Sequence, residues 1–287
     1  MLDLISLLEW SKNEPIKLFV VDNGSCNLGE ISHQLIAYPE AEFVNLKNNY
    51  GLAYAQNVGL KHALKHHFEF ALLLDQDSLP QTGFVERALQ AFENSDPQGA
   101  AVAAVAPRFF DAQTGYLYPF VRFGRLSVVV FEPSNTLEDI SLMISSGSMM
   151  RVSVLDKIGL MNELFFIDHV DTEWCLRAIY KGFRLVGVAD NMMRHSVGDS
   201  KIHIYGRYLP VHSPARRYFA TRNLYYLIFH ERASLPWKFK EFVSSFVKLA
   251  ISIIVKRDLH RHVRSFFLGV LDGLTSNFSR VQKNEKH

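Results

Sequence analysis

Apolar positions along the first two thirds of the chain follow two alternating rhythms. Short runs at residues 17–21, 42–46, 71–74, 100–106 and 183–188 read as buried strands. Between them, apolar residues spaced three and four apart predict helices over 2–9, 52 to about 66, 83–93 and 168–180. Pro80 and Pro107 are expected to stop the strands they follow, Asp168 to cap the last of these helices and Gly182 to end it. The aromatic-rich stretch 115–125 has no readable period, and 126–131 has the pattern of a strand. Strands alternating with helices, with acids and glycines at strand carboxyl ends, predict a doubly wound α/β fold over residues 1–200, Rossmann-like, with a mostly parallel sheet and flanking helices.

The rhythm changes near the carboxyl end. Phe239, Phe242, Val243, Phe246, Leu249, Ile253 and Ile254 recur at helical spacing, with Lys238, Lys240 and Lys248 among them and Lys256-Arg257 after them. Residues 242–255 contain a lysine and are too few for a membrane span. Two readings stand: an amphipathic helix lying on an anionic leaflet, or a helix packed on the preceding domain.

Charge separates the same two parts. The formal net charge of +2 hides 15 basic against 24 acidic residues in 1–200, or −9, and 16 against 5 in 201–287, or +11. A basic tail suits nucleic acid or an anionic membrane, but an apolar stripe finds no partner on nucleic acid, so none is expected. With 287 residues and 48% hydrophobic content the chain can bury a large core, which excludes a disordered class. Cys26 and Cys175 form no C-x-x-C, which argues against a zinc site or a disulfide framework. The first ten residues lack a basic n-region and no run of eighteen apolar residues occurs, so a cytoplasmic location is expected.

Candidate chemistry sits at strand ends. In the stretch ALLLDQDSLP (71–80), strand alternation would put Asp75 and Asp77 on one face. Paired carboxylates there match a hard divalent cation whose shell phosphate oxygens complete; a capped or solvated turn is the plain alternative. Asp22-Asn23-Gly24-Ser25 is turn chemistry, and an Asp at a strand end can also accept hydrogen bonds from a nucleobase or ribose. The stretch 48–57, with Asn49, Gly51 and Asn57, opens a helix rich in small residues, suited to an anion at its N-terminus or simply to close packing. Ser146, Gly147 and Ser148 form a site-lining loop or an ordinary turn. Asp171 falls in a first helical turn, where the dipole favours the anion and hence a proton acceptor. His195 is a loop residue, or a metal ligand if the fold brings it to Asp77.

Taken in order, Asp22-Asn23-Gly24-Ser25, Asn49-x-Gly51 to Asn57, Asp75-Gln76-Asp77-Ser78, Ser146-Gly147-Ser148, the run from Phe165 through Asp168, Asp171, Glu173 and Trp174 to Arg177, and His195 resemble inverting family 2 glycosyltransferases of the GT-A fold. Within them the chain is similar to bacterial rhamnosyltransferases of surface polysaccharide synthesis. The likeness covers roughly residues 15–200, with Arg217, Tyr218, Arg222 and Asn223 a weaker downstream match. It implies a nucleotide-sugar-binding and catalytic domain over 1–200, to which the sequence pattern adds the basic amphipathic helical tail over 201–287 with its two readings, on a membrane or packed on the domain. It implies that Asp22, Asn49, Gly51, Asn57 and Asp75 bind the donor, dTDP-L-rhamnose, and that Asp75, Asp77 and His195 hold Mg²⁺ or Mn²⁺. Asp171 would be the catalytic base, and Ser146, Gly147, Ser148, Glu173, Trp174 and Arg177 would face or support the acceptor, a lipid-linked saccharide of O-antigen or capsule synthesis at the inner face of the membrane. The competing readings are a metal-dependent nucleotidyltransferase and an inactive homologue that only binds a membrane or protein. The resemblance also implies a strand before the first helix that this sequence does not carry, an expected weakness in donor binding.

Overall fold

A computed structural model describes residues 2–96, 101–111, 115–194, 201–204, 207–210, 213–255 and 259–279. The first half alternates as its pattern predicts: α1 (Leu2–Ser11), β1 (Phe19–Asp22), α2 (Leu28–Leu35), β2 (Glu42–Asn45), α3 (Leu52–Lys65), β3 (Phe70–Leu72), β4 (Leu79–Pro80), α4 (Phe84–Ser95) and β5 (Val102–Phe110). There follow β6 (Phe120–Phe123), β7 (Val128–Phe131), β8 (Leu137–Ile140), β9 (Met149–Arg151), α5 (Leu155–Ile158), α6 (Val170–Tyr180) and β10 (Arg184–Arg194). A hairpin of β11 (Lys201–Ile204) and β12 (Arg207–Pro210) precedes α7 (Pro214–His230), α8 (Leu235–Val255) and α9 (Leu259–Leu274).

The main sheet has the order β3-β9-β5-β10-β4, with β8 also on β10. β3, β5 and β10 run in one direction, and β9 is inserted antiparallel between β3 and β5. The expected parallel sheet is thus a mixed one. β1 and β2 form a separate parallel pair, and among the described residues β1 pairs only with β2 and β3 only with β9. Two helices join this pair to the main sheet. α3 carries Leu60 and Ala63 into the main core while His62 stacks on Phe19 of β1, ring centroids 4.0 Å apart. α1 sends Leu7 and Trp10 to α4 and turns Leu8 toward Ile31, Leu35 and Tyr38 around α2.

The two prolines fare differently. The strand expected at 71–74 already ends at Leu72 as β3, and Pro80 instead closes a second, two-residue edge strand in which Leu79 and Pro80 pair with Arg194 and Met193, a place where the missing N–H is tolerated. Pro107 lies inside β5. It opposes Val188, and the register of β10 slips between Val188 and Met192 at that point, so the irregularity absorbs the donor that proline lacks.

Asp168 does not cap α6. His169 occupies the cap position with φ +62° and makes no side-chain cap bond, whereas the Asp168 carboxylate accepts from Arg216 of α7 at 3.2–3.3 Å. The core runs on past residue 200, because Leu224, Leu227, Ile228 and Trp237 join the same apolar cluster as β5, β9 and α6. No described helix is long and apolar enough to cross a membrane.

Candidate active site

β3 stops at Leu72, and the chain beyond it is held by the loop at 145–148. The Leu73 N–H donates to Ser148 O at 3.1 Å, and the Gly147 N–H to Leu73 O at 2.6 Å. The Asp75 N–H donates to Ser146 Oγ (2.9 Å), which donates onward to Ser78 Oγ (2.9 Å), while the Ser78 N–H closes a turn on Asp75 O (3.1 Å). Asp75 and Asp77 therefore belong to a turn, and strand alternation does not govern them as the sequence pattern suggested. They remain neighbours. Burial, and then the charge of Asp77, push the Asp75 carboxyl up to about 6. Gly147 is required at the crossing: its φ is +79°, and a Cβ would lie 2.7 Å from Met193 Cε and 2.8 Å from Pro107 Cγ.

Asp171 is the second residue of α6 and reaches the other side of the same loop. Burial pushes its pKa up to about 6, while backbone N–H groups of Thr172 and Ser145 pull it down and the charges of Asp168 and Asp75 add to the rise. The Thr172 N–H donates to Asp171 Oδ1 at 2.7 Å. One short loop thus connects the two carboxylates, with the Ser145 backbone at Asp171 and the Ser146 hydroxyl at Asp75. Gln56 of α3 joins them by donating from Nε2 to Ser145 Oγ at 2.9 Å. Sequence reasoning counted Ser145 in a site-lining loop but passed over Gln56; the one available signal for it was a polar residue beside the small-residue face of α3.

Asp22 and Asn49 organise the two turns that follow β1 and β2. Asp22, nearly buried, accepts from the Gly24 and Ser25 N–H groups at 3.2–3.3 Å. Asn23 Nδ2 donates to Asn49 Oδ1 (3.0 Å), and the Tyr50 N–H returns to Asn23 Oδ1 (2.9 Å), which zips the turns together. Gly51, with φ +92°, lies against the loop leading to α6: a Cβ there would fall 2.6 Å from Phe166 O, and the next N–H, that of Leu52, donates to the same oxygen at 2.7 Å. Asn57 is a latch. Its amide donates to Met161 O and Glu163 Oε1 and accepts from the Met161 N–H, all at 2.8–2.9 Å, so its polar atoms are turned into the protein.

Glu173, Trp174 and Arg177 clasp another segment. Arg177 bonds both carboxylate oxygens of Glu173 (2.8 and 2.7 Å) and donates to Ile158 O and Leu160 O, while Trp174 Nε1 donates to Gly159 O at 3.0 Å. His195 lies outside the described residues. Asp75 and Asp77 are not part of any cluster of three or more His, Cys, Asp or Glu side chains among the described residues. Two adjacent carboxylates, one driven toward protonation by burial and then by the other's charge, fit a hard divalent ion that takes the rest of its shell from phosphate oxygens.

An acidic turn beyond β3, a carboxylate opening α6 and a serine-rich loop linking them lie together on an α/β sheet, the kind of place where such folds bind ligands. Residues 4–159 match glycosyl transferase family 2, and the chain belongs to that family. It is 30% identical over 276 residues to the dTDP-rhamnosyl transferase RfbF of Shigella flexneri, an alignment covering 95% of this chain and 90% of that one. Among solved structures it is similar to S. aureus TarS 1–349 in complex with UDP-GlcNAc, with TM-score 0.58, 15% identity, and coverage of 96% of this chain and 79% of that one. It also resembles GalNAc-T7 with UDP, GalNAc and Mn²⁺, with TM-score 0.51 and 11% identity over 85% of this chain and about half (52%) of that one. The fold is that of the GT-A glycosyltransferases, and the protein is a glycosyltransferase.

Proposed function

We propose that this glycosyltransferase moves L-rhamnose from dTDP-L-rhamnose to a lipid-linked saccharide acceptor of O-antigen or capsule synthesis, inverting the anomeric centre. The observation that carries the donor is the 30% identity to a dTDP-rhamnosyl transferase over nearly the whole of both chains. In this reading the turns at Asp22 and Asn49 face the nucleotide, and Asp75 and Asp77 hold Mg²⁺ or Mn²⁺. The ion would neutralise the departing diphosphate. Asp171 takes the proton of the acceptor hydroxyl as it attacks; a carboxyl raised to about 6 is deprotonated at neutral pH yet more basic than a solvated one. The Ser145 backbone and Gln56 fix the loop that separates base from diphosphate.

The acceptor side of the proposal rests on the carboxyl-terminal helices. α8 buries Trp237, Ser245 and Leu249 but leaves Phe239, Phe242, Val243, Phe246 and Val247 exposed along one face, and α9 leaves Phe267, Leu271 and Leu274 exposed. Lys240 and Lys248 of α8 and Arg261 and Arg264 of α9 provide the basic flank. A helix pair with an apolar face and a basic border suits an anionic leaflet at the cytoplasmic side, where a lipid-linked acceptor would be presented.

The test is release of dTDP from dTDP-L-rhamnose in the presence of a lipid-linked acceptor extract, with rhamnosylated product identified by mass. Asp171→Asn should lose about 10²–10⁴-fold in turnover while still binding donor. Unchanged turnover in that variant would overturn the base assignment, and preference for another nucleotide sugar would overturn the donor.

A further inference from the structure

We propose that Arg222 and Asn223 of α7 are positioning residues for Asp171, acting through the turn that enters α6; the proposal rests on the reading of Asp171 as the base. The turn itself is strained. Asp168 and His169 are consecutive non-glycine residues with φ of +63° and +62°, a conformation in which each Cβ crowds the backbone, and His169 contributes no side-chain cap to α6. Asp171 follows two residues later, so the direction in which its carboxyl points is set by this turn. Such a pair of left-handed residues persists only when its surroundings impose it.

The surroundings that impose it come from α7. Asn223, fully buried, donates through Nδ2 to Ile167 O (2.9 Å) and Asp168 O (2.8 Å), the two carbonyls that flank the first left-handed residue. The orientation of that amide is not arbitrary. Its Oδ1 accepts from Arg222 Nε (3.0 Å) and Nη2 (2.8 Å), and a guanidinium has only donors, so the oxygen faces Arg222 and the NH₂ faces the turn. Arg222, also fully buried, donates from Nη2 to Leu164 O at 3.0 Å and lies over the rings of Phe278 (4.7 Å) and Phe219 (5.2 Å), which keep it in place. Arg216, one helical turn and a half earlier, takes the Asp168 carboxylate. From the opposite side the Leu52 N–H holds Phe166 O. Segment 164–168 is therefore gripped carbonyl by carbonyl between α7 and the start of α3, which places the base against a frame that also carries Gly51.

The experiment uses the full-length protein and the Asn223→Asp variant, which keeps the size and the oxygen that Arg222 needs but replaces the NH₂ by a second acceptor facing two carbonyls. Expected is a fall in kcat of at least tenfold, with donor affinity by calorimetry within twofold and the acid limb of the pH profile displaced from the parent's, because the burial of Asp171 and the charges around it both change. Arg216→Gln, a half-exposed partner of the same turn, should show the same pattern at smaller amplitude and serves if Asn223→Asp fails to fold. An unchanged kcat per folded enzyme in both variants, or a kcat loss with an unmoved acid limb, overturns the proposal. Full activity of Asp171→Asn measured alongside would instead remove the reading on which it rests.

Discussion

Replacing Glu173 by Gln separates a structural carboxylate from a catalytic one. Glu173 is 3% exposed and receives two bonds from Arg177, at 2.8 and 2.7 Å, and Arg177 in turn holds Ile158 O and Leu160 O. Removing one partner of a buried pair typically costs about 3–5 kcal/mol, because the remaining charge stays buried. Here Gln keeps one acceptor oxygen and Arg177 keeps two carbonyls, and its side chain is 22% exposed, so the cost should fall to about 2–3 kcal/mol. For a chain of this size that is a drop in Tm of about 4–12 °C, read by differential scanning calorimetry. A double cycle with Arg177→Met should show coupling of about 1–3 kcal/mol. Turnover of the folded fraction at low temperature should stay within about threefold of the parent, in contrast to Asp171→Asn. A variant that keeps its Tm but loses turnover as Asp171→Asn does would refute this reasoning and make Glu173 a participant in the chemistry.

The remaining predictions concern pH, backbone and surface. Because Asp171 holds its proton up to about pH 6, kcat/KM should rise as pH passes upward through 6, and in metal-free protein Asp75 holds its proton over the same range. Stability should move the other way: between about pH 4 and 6 the folded state binds protons that the unfolded state has released, so these two groups make the fold less stable as pH rises, visible as a falling Tm in Asp171-intact protein and a flatter curve in Asp171→Asn. Gly51→Ala, at φ +92° and 2.6 Å from Phe166 O, should lower Tm and weaken donor binding together, since the loop to α6 must move. Phe239→Ser with Val247→Ser should abolish co-sedimentation with vesicles containing anionic lipid while leaving Tm within a degree or two, because both side chains are solvent-exposed; persistence of binding would refute the membrane face on α8.

Several features were legible without coordinates. Apolar runs located β1, β2, β3 and β5, and spacings of three and four located α1, α3, α4 and α6, because each buries one face whatever its neighbours are. The candidate carboxylates could be named from strand-end and first-turn positions alone. What Asn57, Glu173, Trp174 and Arg177 do could not: as residue types they suit a ligand as well as a latch, and only the approach of segment 158–163, distant in sequence, uses up their polar atoms. The Pro107 strand was misjudged for a related reason, since a proline is tolerated where the partner strand slips, and that slip belongs to β10.

By itself the sequence determined the order of elements, the charge asymmetry and the acidic residues available for transfer chemistry, all of which depend on local pattern. Tertiary structure decided which acids meet. Asp75 and Asp171 are nearly a hundred residues apart, and it is the 145–148 loop, itself pinned by Gln56 and by the close approach that only Gly147 permits, that sets them on two sides of one space. It decided also that α7 grips the turn before Asp171 while one face of α8 is left bare, because which face of a helix is covered depends on the neighbour it packs against.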